Sequence, residues 1–256
     1  MLSWRKRVIP VLLLNGDKLV KTKKFGNPIY VGDVINAVKI FNEKEVDELA
    51  LIDITPLSER RDPNFSIIKD VASECFIPLA YGGKISNENQ IKKILNIGVE
   101  KIIINTASIE NPDFLKRACK NFGSSTIVAS VDFKKDFFGK KYVFTENGKK
   151  NTKKSPIEIV LELEKLGVGE ILLNSIDRDG MQNGYDLELI KSLSNAVNIP
   201  LIACGGASTV DDFVDAFNNG ASAVAAGSRF VFNGKHNAVL ITYLTDEENI
   251  KLINLK

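Results

Sequence analysis

The chain has 256 residues, 44% of them hydrophobic and 26% charged, with a formal net charge of +2. That length suits one large α/β domain or two small ones, with enough apolar residues for a sizeable core. The near-neutral balance gives no argument for nucleic acid or an anionic membrane as a partner.

The N-terminal "MLSWRKRVIPVLLLNGD" has a basic start and an apolar run too short for a membrane helix. Polar residues follow where a cleavage site would sit, so a cytoplasmic, reducing setting is expected. The run "RVIPVLLL" is the first predicted strand, and Leu12-Leu13-Leu14 put nothing at its end that can move a proton. ELALIDI, IPLAYGG, KIIINTA, TIVASVD, EILLNSID, IPLIACGG and AVAAGS follow as seven more. Amphipathic stretches lie between most of them, among them Val34–Phe41, Gln90–Ile97 and Pro156–Leu166. Eight strands, apolar throughout and each followed by a helix, predict a single α/β domain, a (β/α)8 TIM barrel whose parallel sheet is buried on both faces.

Two long loops break the rhythm, 15–32 after the first strand and 133–155 after the fifth. "KYVFTENGKK" in the second reads as a hairpin with Asn147-Gly148 at its turn. The basic clusters Lys21–Lys24 and Lys149–Lys154 fall in these loops and read either as solvated surface or as phosphate attraction. Cys75, Cys119 and Cys204 are an odd number at unpaired spacings, which argues against a disulfide framework. Cys75 and Cys119 fall in helical stretches and are expected as buried thiols. His236 is the only histidine, so no metal site or histidine-based triad is supported, and no cofactor is expected.

The chain is built twice. ELALIDI matches EILLNSI, IPLAYGG matches IPLIACGG, and GVEKIIINTAS matches GASAVAAGS, all offset by about 122 residues. Three matches in one order at one spacing predict a two-fold repeat of half-barrels, roughly 1–122 and 123–245. Each half offers an anion cradle, because glycine pairs after a strand let backbone N–H groups approach a phosphate. Gly82-Gly83 with Asn105 and Thr106 make the first, and Gly205-Gly206 with Gly227 and Ser228 the second. Together they suit a ligand with a phosphate at each end.

These stretches resemble HisF, the cyclase subunit of imidazole glycerol phosphate synthase. DELALIDIT, KIIINTA, VASVDFK, VFTENGKKNT, GVGEILLNSIDRDG, NGYD and IACGGA carry the resemblance over nearly the whole chain in one order. It implies a lyase of histidine biosynthesis that closes a ring on a bis-phosphorylated ribonucleotide. The ammonia for that step comes through the barrel from a HisH-like glutaminase. Two aspartates would serve as acid and base, and Asp132 matches the one on strand five. The strand-one aspartate falls at Leu13 and is absent; Asn15 and Asp17 lie further along. The resemblance makes Lys21, Asp53 and Asp179 substrate-site residues, and Gly82, Gly83, Asn105, Thr106, Gly205, Gly206, Gly227 and Ser228 phosphate-loop positions. Lys84 stands where the family usually has a third glycine, and Asn174 replaces a small hydroxyl residue. The phosphoribosyl isomerase HisA also uses two aspartates, but the FTENGKKNT hairpin and the strand starts point to HisF.

Those strand starts alternate in sign: Arg7, Glu48, Lys101 and Glu170. A charged strand start is ordinarily a solvated end, but four at the closed base of a barrel could pair into a ring. In HisF the matching positions form the ammonia gate. A complete gate beside a broken catalytic pair resembles the HisF-like subunit found with surface-polysaccharide genes, as do "KRVIPVLLL" and "YVGDVINAVKIFNEKEVDEL". That branch implies a glutamine-dependent amidotransferase. Its barrel passes ammonia to a sugar-amidating enzyme that installs an acetamidino group during lipopolysaccharide or other surface-glycan synthesis. The alternatives are an ordinary cyclase using Asp132 with a substitute acid, and a scaffold without chemistry that only activates the glutaminase.

Overall fold

The computed structural model describes residues 6–234, 236 and 238–255; the basic chain start at residues 1–5 lies outside them. Eight parallel strands form the barrel: β1 (Arg7–Asn15), β2 (Leu49–Asp53), β3 (Leu79–Gly82), β4 (Lys101–Ile104), β5 (Ile127–Lys135), β6 (Glu170–Ser175), β7 (Leu201–Cys204) and β8 (Ala223–Ala226). Each pairs with its neighbours in sequence, β1 also pairs with β8, and the β5–β6 pairing completes the closure. The repeated segments fall on β2 and β6, β3 and β7, and β4 and β8.

Side chains alternate across each strand, which explains why these strands are apolar on both faces. Outward residues such as Leu12, Leu14, Leu51 and Ile104 pack under the surrounding helices. Inward ones, including Ile9, Val11, Ala50, Ala80, Ile103, Val128, Leu172 and Ala225, fill a separate interior cluster. Helices start where the sequence supplies caps. Asn87 and Gln90 form a capping box for Glu88–Ile97, and Ser155 with Glu158 does the same for Pro156–Leu166. Cys119 is buried within a helix, but Cys75 is half-buried in extended backbone just past one, where it ends Phe65–Glu74. Among the described residues no helix is long and apolar enough to cross a membrane.

Both long loops fold back over the C-terminal end. Residues 15–32 contain the antiparallel strands Lys18–Lys21 and Ile29–Gly32, the first paired with β1 so that Val20 lies opposite Leu13. The strands Lys141–Thr145 and Lys150–Asn151 flank the expected turn at Asn147-Gly148.

Candidate functional site

The interior is a column with charge at both ends. At the base, Arg7 Nη1 reaches Glu48 Oε2 at 2.9 Å and Arg7 Nη2 reaches Glu170 Oε1 at 2.7 Å. Lys101 Nζ contacts the same two carboxylates at 2.9 and 3.1 Å. Two cations and two anions therefore close a four-membered ring in which each group touches both partners of opposite sign. Residues whose strand register aims them inward at the first turn of the barrel cannot avoid one another, so pairing removes the cost of burying any one of them.

At the mouth, Asp132 on β5 is 7% exposed. Asn105 Nδ2 donates to Asp132 Oδ2 at 3.1 Å and to the Ser130 carbonyl at 3.0 Å, while Ser130 Oγ donates to Asp132 Oδ1 at 3.3 Å. Burial pushes the Asp132 carboxyl up to about 7, the Ser130 and Asn174 side chains pull it back, and the charge of Asp179 adds to the rise. No lysine or arginine forms an ion pair with it among the described residues. A carboxyl balanced near neutrality can both give and take a proton.

The other half of the expected pair is missing in space as well as in sequence. Leu13 points into the barrel and packs on the interior cluster beside Ile52 and Cys204. Asp17 does not substitute: it is exposed and accepts a hydrogen bond from Asn64 Nδ2 at 3.0 Å. Burial pushes the Cys204 thiol up to about 12, so it is not a nucleophile at neutral pH.

The remaining expected residues separate into two groups. Lys21, 158 positions from Asp179 in the chain, pairs with it at 3.0 Å, and Thr22 Oγ1 donates to the same carboxylate at 2.9 Å. Lys21 is therefore a buried, paired residue and not part of a solvated cluster, while Lys23 and Lys24 are exposed. The pair sits beside the second cradle: a Cβ on Gly227 would lie 2.9 Å from Lys21 Cε. Gly180 is required where this loop meets the first, since a Cβ there would come within 2.3 Å of the Thr22 carbonyl oxygen. Within the second cradle, Ser228 Oγ is buried and has no hydrogen-bond partner among the described residues, and the same holds for Asn174 Oδ1. A buried hydroxyl without a partner is costly and suits a site completed by a ligand.

The first cradle is different. Thr106 Oγ1 is already engaged, accepting the Glu146 N–H at 3.1 Å and donating to Asn105 Oδ1 at 3.3 Å. Asp53 faces away from the barrel interior, since its neighbour Ile52 faces in. It binds Lys84 Nζ at 3.0 Å, the Thr55 N–H at 2.9 Å and Arg60 Nη2 at 3.5 Å. Lys84 has φ +59, a left-handed conformation that glycine adopts without cost. Here a lysine takes it, with its side chain 3% exposed and anchored on Asp53. Burial lowers the Lys84 pKa, and Asp53 opposes that shift. Sequence reasoning noticed Lys84 only as a departure and did not foresee Ser130, Arg60 or Thr22. Their partners lie in other loops, and no local pattern marks them.

A closed (β/α)8 barrel with an ion-paired base and a buried carboxylate free of ion pairs among the described residues, Asp132, at a glycine-lined mouth defines the class. Comparison with known proteins supplies the family. The histidine biosynthesis protein family matches residues 7–237. A protein provisionally named imidazole glycerol phosphate synthase subunit hisF2, from Pseudomonas aeruginosa, is 52% identical over 240 residues, covering 93% of this chain and 96% of that one. A provisionally named HisF subunit from Leptospira borgpetersenii is 46% identical over 248 residues, 95% of this chain and 98% of that one. The imidazole glycerol phosphate synthase subunit HisF of Sulfolobus acidocaldarius is 42% identical over 225 residues, 87% and 89% of the two chains. The chain belongs to the HisF family of histidine biosynthesis proteins.

Proposed function

We propose that this chain is the barrel subunit of a glutamine-dependent amidotransferase. It receives ammonia at its base from a HisH-like glutaminase and releases it at the mouth to a separate sugar-amidating enzyme of surface-glycan synthesis. The observation that carries this reading is the contrast between the two ends, a ring closed by Arg7, Glu48, Lys101 and Glu170 and a mouth that has Asp132 on β5 but Leu13 on β1. A barrel that needs no ammonia has no use for a charged gate. Between the ends, the lining of Ile9, Val11, Ala50, Ala80 and Ile103 favours neutral ammonia over ammonium, which would have to shed its hydration there.

In this reading Asp132 takes or gives the proton that ammonia exchanges on leaving the barrel. Lys21, Asp179 and the glycine loops at Gly205-Gly206 and Gly227-Ser228 hold a phosphorylated ligand. Gly82, Gly83, Asn105 and Thr106 form the weaker counterpart, with Asp53 bracing the loop behind them through Lys84. The deciding experiment is a steady-state cyclase assay with the ribonucleotide and ammonium salt. Turnover within tenfold of an ordinary cyclase would refute the reading.

A second reading, the imidazole glycerol phosphate synthase cyclase named for the relatives, is favoured by one observation: Asp132 is poised near pH 7, as a working acid or base requires. The same assay decides between the two. A scaffold without chemistry finds no support in a mouth that keeps Asp132, Lys21 and the paired glycines.

A further inference from the structure

β5 and the strand Lys141–Thr145 are joined by a turn at residues 136–140 that stands clear of the barrel on its mouth side. The tip lies roughly 10 Å or more beyond Asp132, at about 3.3 Å per strand residue. The turn is held by its own backbone and by one carboxylate. The Asp136 N–H donates to the Lys140 carbonyl at 2.8 Å and the Gly139 N–H to the Asp136 carbonyl at 3.0 Å. Asp136 Oδ1 accepts the N–H groups of Phe138 and Lys140, both at 2.9 Å. Its two aromatic side chains contribute nothing to this. Phe137 is 97% exposed and Phe138 90%, with their rings edge to face at 5.6 Å.

Two phenylalanines fixed side by side in water form a knob that nothing among the described residues covers. Its collar is basic. Lys134 stacks on Phe144 at 4.2 Å and Lys140 over Tyr142 at 5.1 Å, and Lys135 is exposed. None of these three forms an ion pair among the described residues. Lys141 is taken by Asp186 at 2.8 Å, Asp136 is turned onto its own backbone, and Asp177 accepts the Lys135 N–H at 2.7 Å.

We infer that Phe137 and Phe138 dock the enzyme that consumes the ammonia, in an apolar pocket with an acidic rim on that enzyme's surface. The inference rests on the amidotransferase reading and adds where the acceptor binds. Ammonia leaving the mouth is lost to solvent unless its acceptor sits over that end, and the knob is at that end. Aromatic side chains that lose little rotamer freedom are suited to anchor such a contact, with the lysines setting its orientation. A second copy of this chain is a poorer occupant, because symmetric docking would set the two lysine collars against each other. A lipid surface is poorer too: the neighbouring mouth loops expose Asp17, Glu59 and Glu146 to the same side.

The test compares wild type with Phe137→Ser/Phe138→Ser, each assembled with its glutaminase. The purified sugar-amidating enzyme is titrated calorimetrically, and the ratio of glutamate released to amidinated sugar is measured. The expected result is at least a tenfold rise in dissociation constant and a higher ratio, with glutamine hydrolysis and thermal midpoint unchanged. Lys135→Glu/Lys140→Glu should weaken binding as well and reduce its salt dependence. Equal affinity for wild type and the aromatic double variant would overturn the knob and leave the amidotransferase reading standing. Wild type that binds no amidating enzyme and turns over the ribonucleotide would overturn both. Loss in the variant of binding to phosphatidylglycerol vesicles, or of a wild-type dimer in sedimentation, with amidating-enzyme binding intact, would assign the knob to a membrane or to a second copy instead.

Discussion

At the N-terminal end of the barrel, four side chains from β1, β4, β6 and the residue before β2 close on one another through contacts of 2.7–3.1 Å. At the C-terminal end Asp132 is buried without an ion pair among the described residues, and the inward position on β1 is a leucine. The two ends answer differently to substitution. Removing any member of the ring leaves buried charge with one partner fewer, so the fold itself resists the change. Replacing a proton-transfer group by leucine does not offend the fold, because Leu13 packs on the interior hydrophobic cluster as any interior residue would. Substitution at the mouth carries little structural cost, while the ring at the base is held by the cost of unpairing buried charge.

The sharpest break between the ends is in rate. With one member of the acid/base pair absent, ribonucleotide cyclisation with ammonium supplied directly should run about 10²–10⁴-fold below an intact cyclase. Leu13→Asp should recover part of it, measured as steady-state turnover.

The next effect is on stability against pH. Asp132 titrates at about 7 in the fold against an ordinary 3.8, so between those values the folded state holds a proton that the unfolded state has lost. Its contribution is therefore most favourable at low pH, declines as pH rises towards 7, and is level above that. From pH 5 to pH 8 the loss is about 3 kcal/mol. Urea midpoints of Asp132→Asn should lack this decline, and parallel pH curves for variant and wild type would contradict it.

Lys101→Ala sharpens the comparison at the other end. Glu48 and Glu170 each keep Arg7, and Lys101 is a fifth exposed, so the loss should be about 2 kcal/mol, below the roughly 3–5 of a fully buried pair. The separate functional sign is a rise in glutamate released per amidinated or cyclised product. An unchanged ratio with the glutaminase bound would make the ring a purely structural brace.

The smallest effect concerns the second cradle. Ser228→Ala should hold or slightly raise the stability of the unliganded protein, because it removes a buried hydroxyl that has no partner among the described residues. It should weaken phosphate or phosphoribosyl binding by about 1 kcal/mol, roughly fivefold, in isothermal titration. The corresponding Thr106→Ala should act mainly through the hairpin it holds at Glu146.

The sequence by itself determined the barrel, because eight apolar runs at a steady spacing leave few other ways to bury both faces of a sheet. It also determined the ring: strand-start charges of alternating sign are a linear pattern, and strand register carries them inward together. The resemblance to HisF implied the missing aspartate at Leu13, and strand alternation turns that side chain inward. Tertiary structure alone decided which loop residues meet. Lys21 finds Asp179 across 158 residues, Lys84 swings onto Asp53, and the Thr106 hydroxyl is taken up by the hairpin and by Asn105. Only the fold could set Asp132 near neutrality, since its pKa follows from burial, from Ser130 on its own strand, and from Asn174 on β6 and Asp179 in the loop behind β6. Periodicity records which face of its own element a residue occupies. Desolvation and ion pairing depend on what other elements bring to that face, and that information exists only once the barrel has closed.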